Sequence, residues 1–350
     1  MRTPSLALAV LLSSLSLPRL AAAQDEPPPK TWEEYQAVHS LSCVGPADAL
    51  PAPEVKQHAG FEYAFAGSSL KVKRLDGPAV AGEVRLGVLS GIKELDKATK
   101  LSLDDFFAKF KAAKVEGVLL GGDSAENEMD LEEVLAYVAA FELPTYAVIG
   151  NWESRAPFNR AVREVSKAHP NLVNMDLARK LEAEAFDVVA LGGYSDKGYV
   201  KGSGACLYKP EDARSIAALA KDAKHPVILL MHGPPAQKGK QSIDFVPGAG
   251  NVGDKDVTLA IQEAKIAFGI HGHILEAGAR ATDLAGKPLA AGKFHPQLFL
   301  NPGPASSLPW KMNDGKTSYG LAAIFTLKGK AASYELLRAP PRDVPEETIP

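Results

Sequence analysis

The chain has 350 residues, 46% hydrophobic and 23% charged, which suits one large domain or two ordinary ones with a substantial core. The formal net charge of −3 supplies no global basic field, and so speaks against a nucleic-acid partner or an electrostatic hold on an anionic membrane. The eight His residues form no tract, so a metal site would have to be assembled by the fold.

In chain order, Arg2, an apolar run over 6–17 and Ala21-Ala22-Ala23 read as a secretory signal peptide over 1–23. The competing reading, a buried helix, is opposed by Pro18, Arg19 and the Pro-rich, charged stretch over 24–30. Export to a periplasmic or extracellular compartment follows as an expectation. Cys43 and Cys206 could then pair as a disulfide, or stay as two separate buried thiols. No later stretch is apolar enough for an integral membrane span.

Residues 24–80 read as a linker and hairpin segment: a short helix over 31–39, then alternating strands over 61–65 and 70–74. This segment is either an accessory element or the first edge of the main sheet. From residue 81 the rhythm changes. Strands over 84–89, 115–121, 145–149, 186–191, 226–231 and 267–270 alternate with helices over 103–112, 130–141, 157–169 and 210–223. Ser102 stands as the N-cap of the first of these helices, and Pro157 falls in the first turn of the third. Strands over 297–300, 320–327 and 332–337 have no helices between them, which predicts a second, more antiparallel sheet packed on the first. The main domain thus covers 81–338, followed by a Pro- and Glu-rich tail over 339–350.

In such sheets ligands bind beyond the carboxyl ends of strands. Gly122-Asp123, Gly150-Asn151-Trp152-Glu153, His232-Gly233, His271-Gly272-His273 and Asn301-Pro302-Gly303 each follow a predicted strand. Singly, each is an ordinary turn or a satisfied polar group. Jointly, an Asp, an Asn and His residues at separate strand exits form an oxygen-plus-imidazole set. That set suits zinc, manganese or iron better than magnesium or calcium.

The order and wording of these motifs resemble the calcineurin-like metallophosphoesterases, over residues 84–304. The resemblance implies an α/β fold, a four-layer αββα sandwich of two mixed β-sheets flanked by helices. It also implies a metal held by Asp123, Asn151, His232 and His273. A shifted register, in which His271 and His273 are the paired ligands, stays open. The family's other metal lacks its ligands here. Gly91 stands for an Asp, Lys93 for a His and Leu275 for the last His, while Trp152 replaces the His that serves as general acid. One divalent transition metal is therefore expected and a second is not.

Lys93 either points to solvent or contacts a phosphate oxygen; Trp152 either stacks on a ligand ring or packs in the core. Asp244 and Asp254, in a long loop after His232, are possible substitute ligands, and Lys238-Gly239-Lys240 is a basic loop near the cleft. Three functions follow: a ligand-binding pseudoenzyme for a small phosphorylated or other anionic molecule, an active phosphoesterase using one metal plus Lys93, or a scaffold. The first is favoured.

Overall fold

A computed structural model describes residues 27–342. The expected signal peptide and residues 343–350 of the expected tail lie outside the described residues. Within them no helix is long and apolar enough to cross a membrane.

Two sheets stack face to face. The six-stranded sheet runs Ala331–Arg338, Leu321–Lys328, Val84–Leu89, Gly117–Leu120, Thr145–Ala147 and Leu172–Asn174. Its last four strands are mutually parallel, and Leu321–Lys328 joins them antiparallel. The ten-stranded sheet has the parallel strands Asp187–Leu191, Val227–Met231, Phe268–Ile270 and Leu298–Asn301 at its centre. Between the sheets lies an apolar layer that includes Leu86, Val88, Val188, Ile228, Phe268 and Phe325. Because these strands are buried on both faces, they read as continuous Val, Ile and Leu runs rather than as alternation.

Helices Lys97–Ala112, Leu131–Ala139 and Arg155–Ala168 cover the outer face of the six-stranded sheet, and Pro210–Ala220 and Lys255–Ala264 that of the other. The architecture is the αββα sandwich expected from the sequence. Helix Lys97–Ala112 shows the cause locally. Leu103, Phe106, Phe107 and Phe110 recur at helical spacing and are buried, at roughly 1.5–3 kcal/mol of burial each. Its N-cap is Asp96, whose carboxylate accepts the Thr99 N–H, and not Ser102, which lies inside the helix and bonds the Ala98 carbonyl.

One expectation about sheets needs correction, and another is extended by a strand. The three C-terminal strands do not form one sheet: Leu298–Asn301 completes the parallel run of the larger sheet, while the other two extend the smaller one. Propensity identifies such strands but not their partners. The segment over 54–74 is a three-stranded meander, Glu54–His58, Phe61–Phe65 and Ser69–Arg74, which edges the larger sheet through pairing of Ser69–Arg74 with Lys180–Glu182. Phe61, Tyr63 and Phe65 alternate inward, and Trp32 stacks on Phe65 at 4.9 Å, so the first helix, Trp32–Val38, seals that edge. Cys43 and Cys206 form a disulfide that ties this segment to the loop after Asp187–Leu191.

Candidate metal centre and ligand cleft

The strand exits converge. Asp123, Asn151, Trp152, Lys93 and His273 line one cleft of about 440 Å³, together with Tyr199, Lys201, Leu275 and Trp310. A larger cavity, about 880 Å³ and lined by Phe61, Arg74, Phe107 and Lys114 among others, lies toward the amino ends of the strands and holds none of the motifs.

Three non-glycine residues of the cleft have positive φ: Lys93 at 68°, Asp123 at 55° and His273 at 57°. Such backbone is held only where the surroundings fix it, and it collects at functional sites. Gly150 shows how tightly. A Cβ there would lie 2.0 Å from Asp123 Oδ1 and 2.4 Å from the Asp123 amide nitrogen. The bare backbone lets Asp123 Oδ1 accept the N–H groups of Asn151 at 3.1 Å and Trp152 at 3.3 Å. Glu153, fully buried, ties the same two loops by accepting the N–H groups of Ser124 and Gly150. Burial and, next, the Asp123 charge push its carboxyl up to about 8.

Around Asn151 the donors close in. His232 Nε2 lies 2.8 Å and His273 Nδ1 2.9 Å from Asn151 Oδ1, and His232 Nε2 lies 3.4 Å from Asp123 Oδ1. Asn151 Nδ2 faces the Tyr199 carbonyl at 2.5 Å, which turns Oδ1 toward the imidazoles. His232 Nδ1 faces the Gly121 carbonyl at 2.7 Å, an acceptor that assigns the proton of a neutral ring to Nδ1. The Nε2 lone pair then faces Asn151 Oδ1 and Asp123 Oδ1, an arrangement that a cation between them would satisfy. Neighbouring donors around a cation at about 2.1 Å are spaced roughly 3.0–3.4 Å apart, close to the spacing found. Burial, then the neighbouring His232, lowers the pKa of His273 far below the usual imidazole range, which keeps a lone pair available. The donor set fits a divalent cation held by Asp123, Asn151, His232 and His273. Among the described residues no three His, Cys, Asp or Glu side chains group closely enough to hold a metal by themselves. Asn151 is what joins the two imidazoles.

His271 lies elsewhere. Its Nδ1 meets the Gly233 carbonyl at 3.0 Å, its ring stacks beside Phe299, and burial pushes its pKa down to about 4. Asp254 caps helix Lys255–Ala264, an element unpredicted from sequence, and accepts the Tyr208 hydroxyl. Asp244 accepts the Gln237 and Gly253 N–H groups and the Ser242 hydroxyl. Both carboxylates are consumed in organising the loop after His232.

The other side of the cleft carries Lys93, Leu275 and Trp310. Gly91 sits at φ 58°, and a Cβ there would meet Leu275 Cδ2 at 3.0 Å, so the two replacements pack on each other. Lys93 does not point to solvent. Its side chain is 7% exposed, and Nζ meets Glu126 Oε1 at 2.6 Å, 4.9 Å from the Trp152 ring centroid and 5.2 Å from that of Trp310. Lys201 Nζ lies 4.0 Å from the Trp152 centroid. Trp152 is therefore a half-buried cleft wall rather than a core residue. Glu126, Trp310 and Lys201 escaped the sequence reading, because none lies in a strand-exit motif.

No protein-family model matches the sequence, and no curated protein matches it. Solved structures do match the fold. One crystal structure aligns over 73% of this chain and 99% of its own at 15% identity, with a TM-score of 0.51. The protein TT1561 of Thermus thermophilus aligns over 73% and 98% at 14% identity and a TM-score of 0.48. A dimetal phosphatase from Danio rerio aligns over 73% and 98% at 11% identity and 0.46. The match is to a two-sheet αββα architecture, the one that the resemblance of the strand-exit motifs implies. At these identities the likeness is one of architecture and carries no activity. Within this αββα fold, the chain has four converging donors on one side of the cleft and an ammonium between indoles on the other.

Proposed function

We propose that the protein binds one divalent transition metal at Asp123, Asn151, His232 and His273, and a small phosphorylated ligand beside it, with phosphoester hydrolysis slow or lost. The observation that carries this reading is the filling of the other half of the cleft by Gly91, Leu275 and the clamped Lys93. A bound metal would supply Lewis-acid neutralisation of a phosphate oxygen. Lys93 and Lys201 add two ammonium groups that attract the same charge, as point donors rather than a fork. Trp152 offers no proton for a leaving oxygen, so general-acid help of about 10²–10⁴-fold is missing at that position.

A second reading, a one-metal phosphoesterase, is favoured by one feature: Lys93 is held rigidly on the rim of the donor set. Export to an oxidising compartment is part of the proposal, supported by the Cys43–Cys206 disulfide and by the first 23 residues of the sequence.

The test is metal content per chain beside Asp123→Ala, with phosphate binding and phosphoesterase turnover measured in wild type and Lys93→Met. About one metal, lost in Asp123→Ala, with phosphate binding that weakens in Lys93→Met and no turnover, supports the proposal. Metal-stimulated turnover abolished in Lys93→Met selects the second reading. No metal after loading overturns both.

A further inference from the structure

We infer that the ligand of this cleft is a phosphate ester of an aromatic group, its ring seated against Trp310 and Phe245 in an adjoining cavity. This rests on the phosphate-binding reading above and adds the nature of the organic part.

Beside the cleft lies a second cavity of about 720 Å³, lined by Lys240, Phe245, Pro247, Trp310 and Met312 among others. Trp310 lines both spaces. Leu275 faces the cleft and Glu276 the cavity, so one indole and one tight turn, Leu275–Ala277, divide them. A phosphate held at Lys93 would leave the second cavity unused; an ester with a bulky group would extend past Trp310 into it.

The backbone that carries these rings is pinned. Trp310 begins a two-stranded ribbon with Thr317–Ser318. The loop before it is pinned by the Ser306 hydroxyl on Glu94 at 2.6 Å and the Thr99 hydroxyl on Ser307 at 2.9 Å. Asn313 bridges both sides, its side chain donating to the Phe245 carbonyl at 2.9 Å and its backbone N–H to the Glu276 carbonyl at 2.7 Å. An indole and a phenyl ring carried on pinned backbone favour a planar unsaturated group, because ring–ring contact adds to area burial. An aliphatic polyol offers no such gain.

Calorimetric titration of the metal-loaded mature chain with 1-naphthylmethylphosphonate, 3-hydroxypropylphosphonate and inorganic phosphate tests this, since none of the three has an ester bond to cleave. The naphthyl compound should bind at least tenfold tighter than the hydroxypropyl compound. That ratio should fall toward one in Phe245→Ala and in Trp310→Ala; Phe245→Ala matters because Phe245 makes no contact with Lys93 among the described cation–ring pairs. Inorganic phosphate bound without any naphthyl preference overturns this inference and leaves the phosphate-binding reading intact. A preference undiminished in both variants overturns the placement at Trp310 and Phe245. Failure of wild type to bind any of the three overturns both readings.

Discussion

The close packing of Leu275 over Gly91, on which the one-metal proposal rests, has a measurable consequence. Gly91→Ala places a residue with a side chain at φ 58°, at a cost of about 1–2 kcal/mol, and its methyl approaches Leu275 Cδ2 to 3.0 Å. Leu275 is 4% exposed, so Leu275→Ala removes a buried side chain and costs about 2–5 kcal/mol. In the double variant the new methyl enters the space the leucine leaves, and the steric part of the first change disappears. The double variant should therefore be more stable than the sum of the singles predicts, by about 1 kcal/mol, within the range of roughly 0.5–3 kcal/mol seen for residues in contact. Urea unfolding of the four proteins at a shared m-value reads this directly. Additivity to within about 0.3–0.5 kcal/mol would refute the reasoning. It would mean that Leu275 does not occupy the space over Gly91, and the case for a single metal would lose its steric basis.

Gly150→Ala should destabilise by more than about 4 kcal/mol or prevent folding, because a Cβ 2.4 Å from the Asp123 amide nitrogen has no rotamer to escape into. Gly202→Ala, with nothing within 4 Å at φ 82°, should cost only about 1–2 kcal/mol, and melting temperatures separate the two. Asp176 is buried, and burial pushes its carboxyl up to about 7 from 3.8. The folded state then holds a proton the unfolded state has lost. Stability present at low pH should decline between about pH 4 and 7 by at most about 1.4 kcal/mol per pH unit from this group, and Asp176→Asn should flatten that slope in pH-resolved unfolding. Reducing the Cys43–Cys206 disulfide, which spans 163 residues, should cost about 2–5 kcal/mol, read as a lower urea midpoint with dithiothreitol and no further loss in Cys43→Ser/Cys206→Ser.

Much of the fold was legible because buried parallel strands leave an unambiguous trace: runs such as Val227–Met231 are apolar on both faces. The motifs at their exits could be read for the same reason, since each follows a strand directly. What could not be read was pairing over distance. Leu298–Asn301 and Leu321–Lys328 look alike in sequence yet enter different sheets, because partner choice is set by packing rather than by propensity. Helix Lys255–Ala264 was hidden by the Gly-rich stretch before it, although Asp254 is a capable N-cap that accepts two N–H groups. The Lys93 environment was illegible for a stronger reason. An exposed lysine is the common case, and only the fold brings Trp152, Trp310 and Glu126 around this one.

Those neighbours change what the substituted residues mean together. An isolated ammonium 7% exposed would be expensive to bury, so Lys93 needs its carboxylate and its two indole faces. Glu126 is 43% exposed and remains partly hydrated, which leaves the positive charge incompletely cancelled toward the cleft. Gly91 and Leu275 supply the apolar packing behind it. Under the proposed one-metal reading, a single charge fixed in the protein itself stands where the motif resemblance places a divalent cation, next to four converging donors. An arrangement that had merely decayed would have no reason to keep a cation there and to hold it between two rings. Anion binding does, since a phosphate needs positive charge on that side whether or not its ester bond is ever broken.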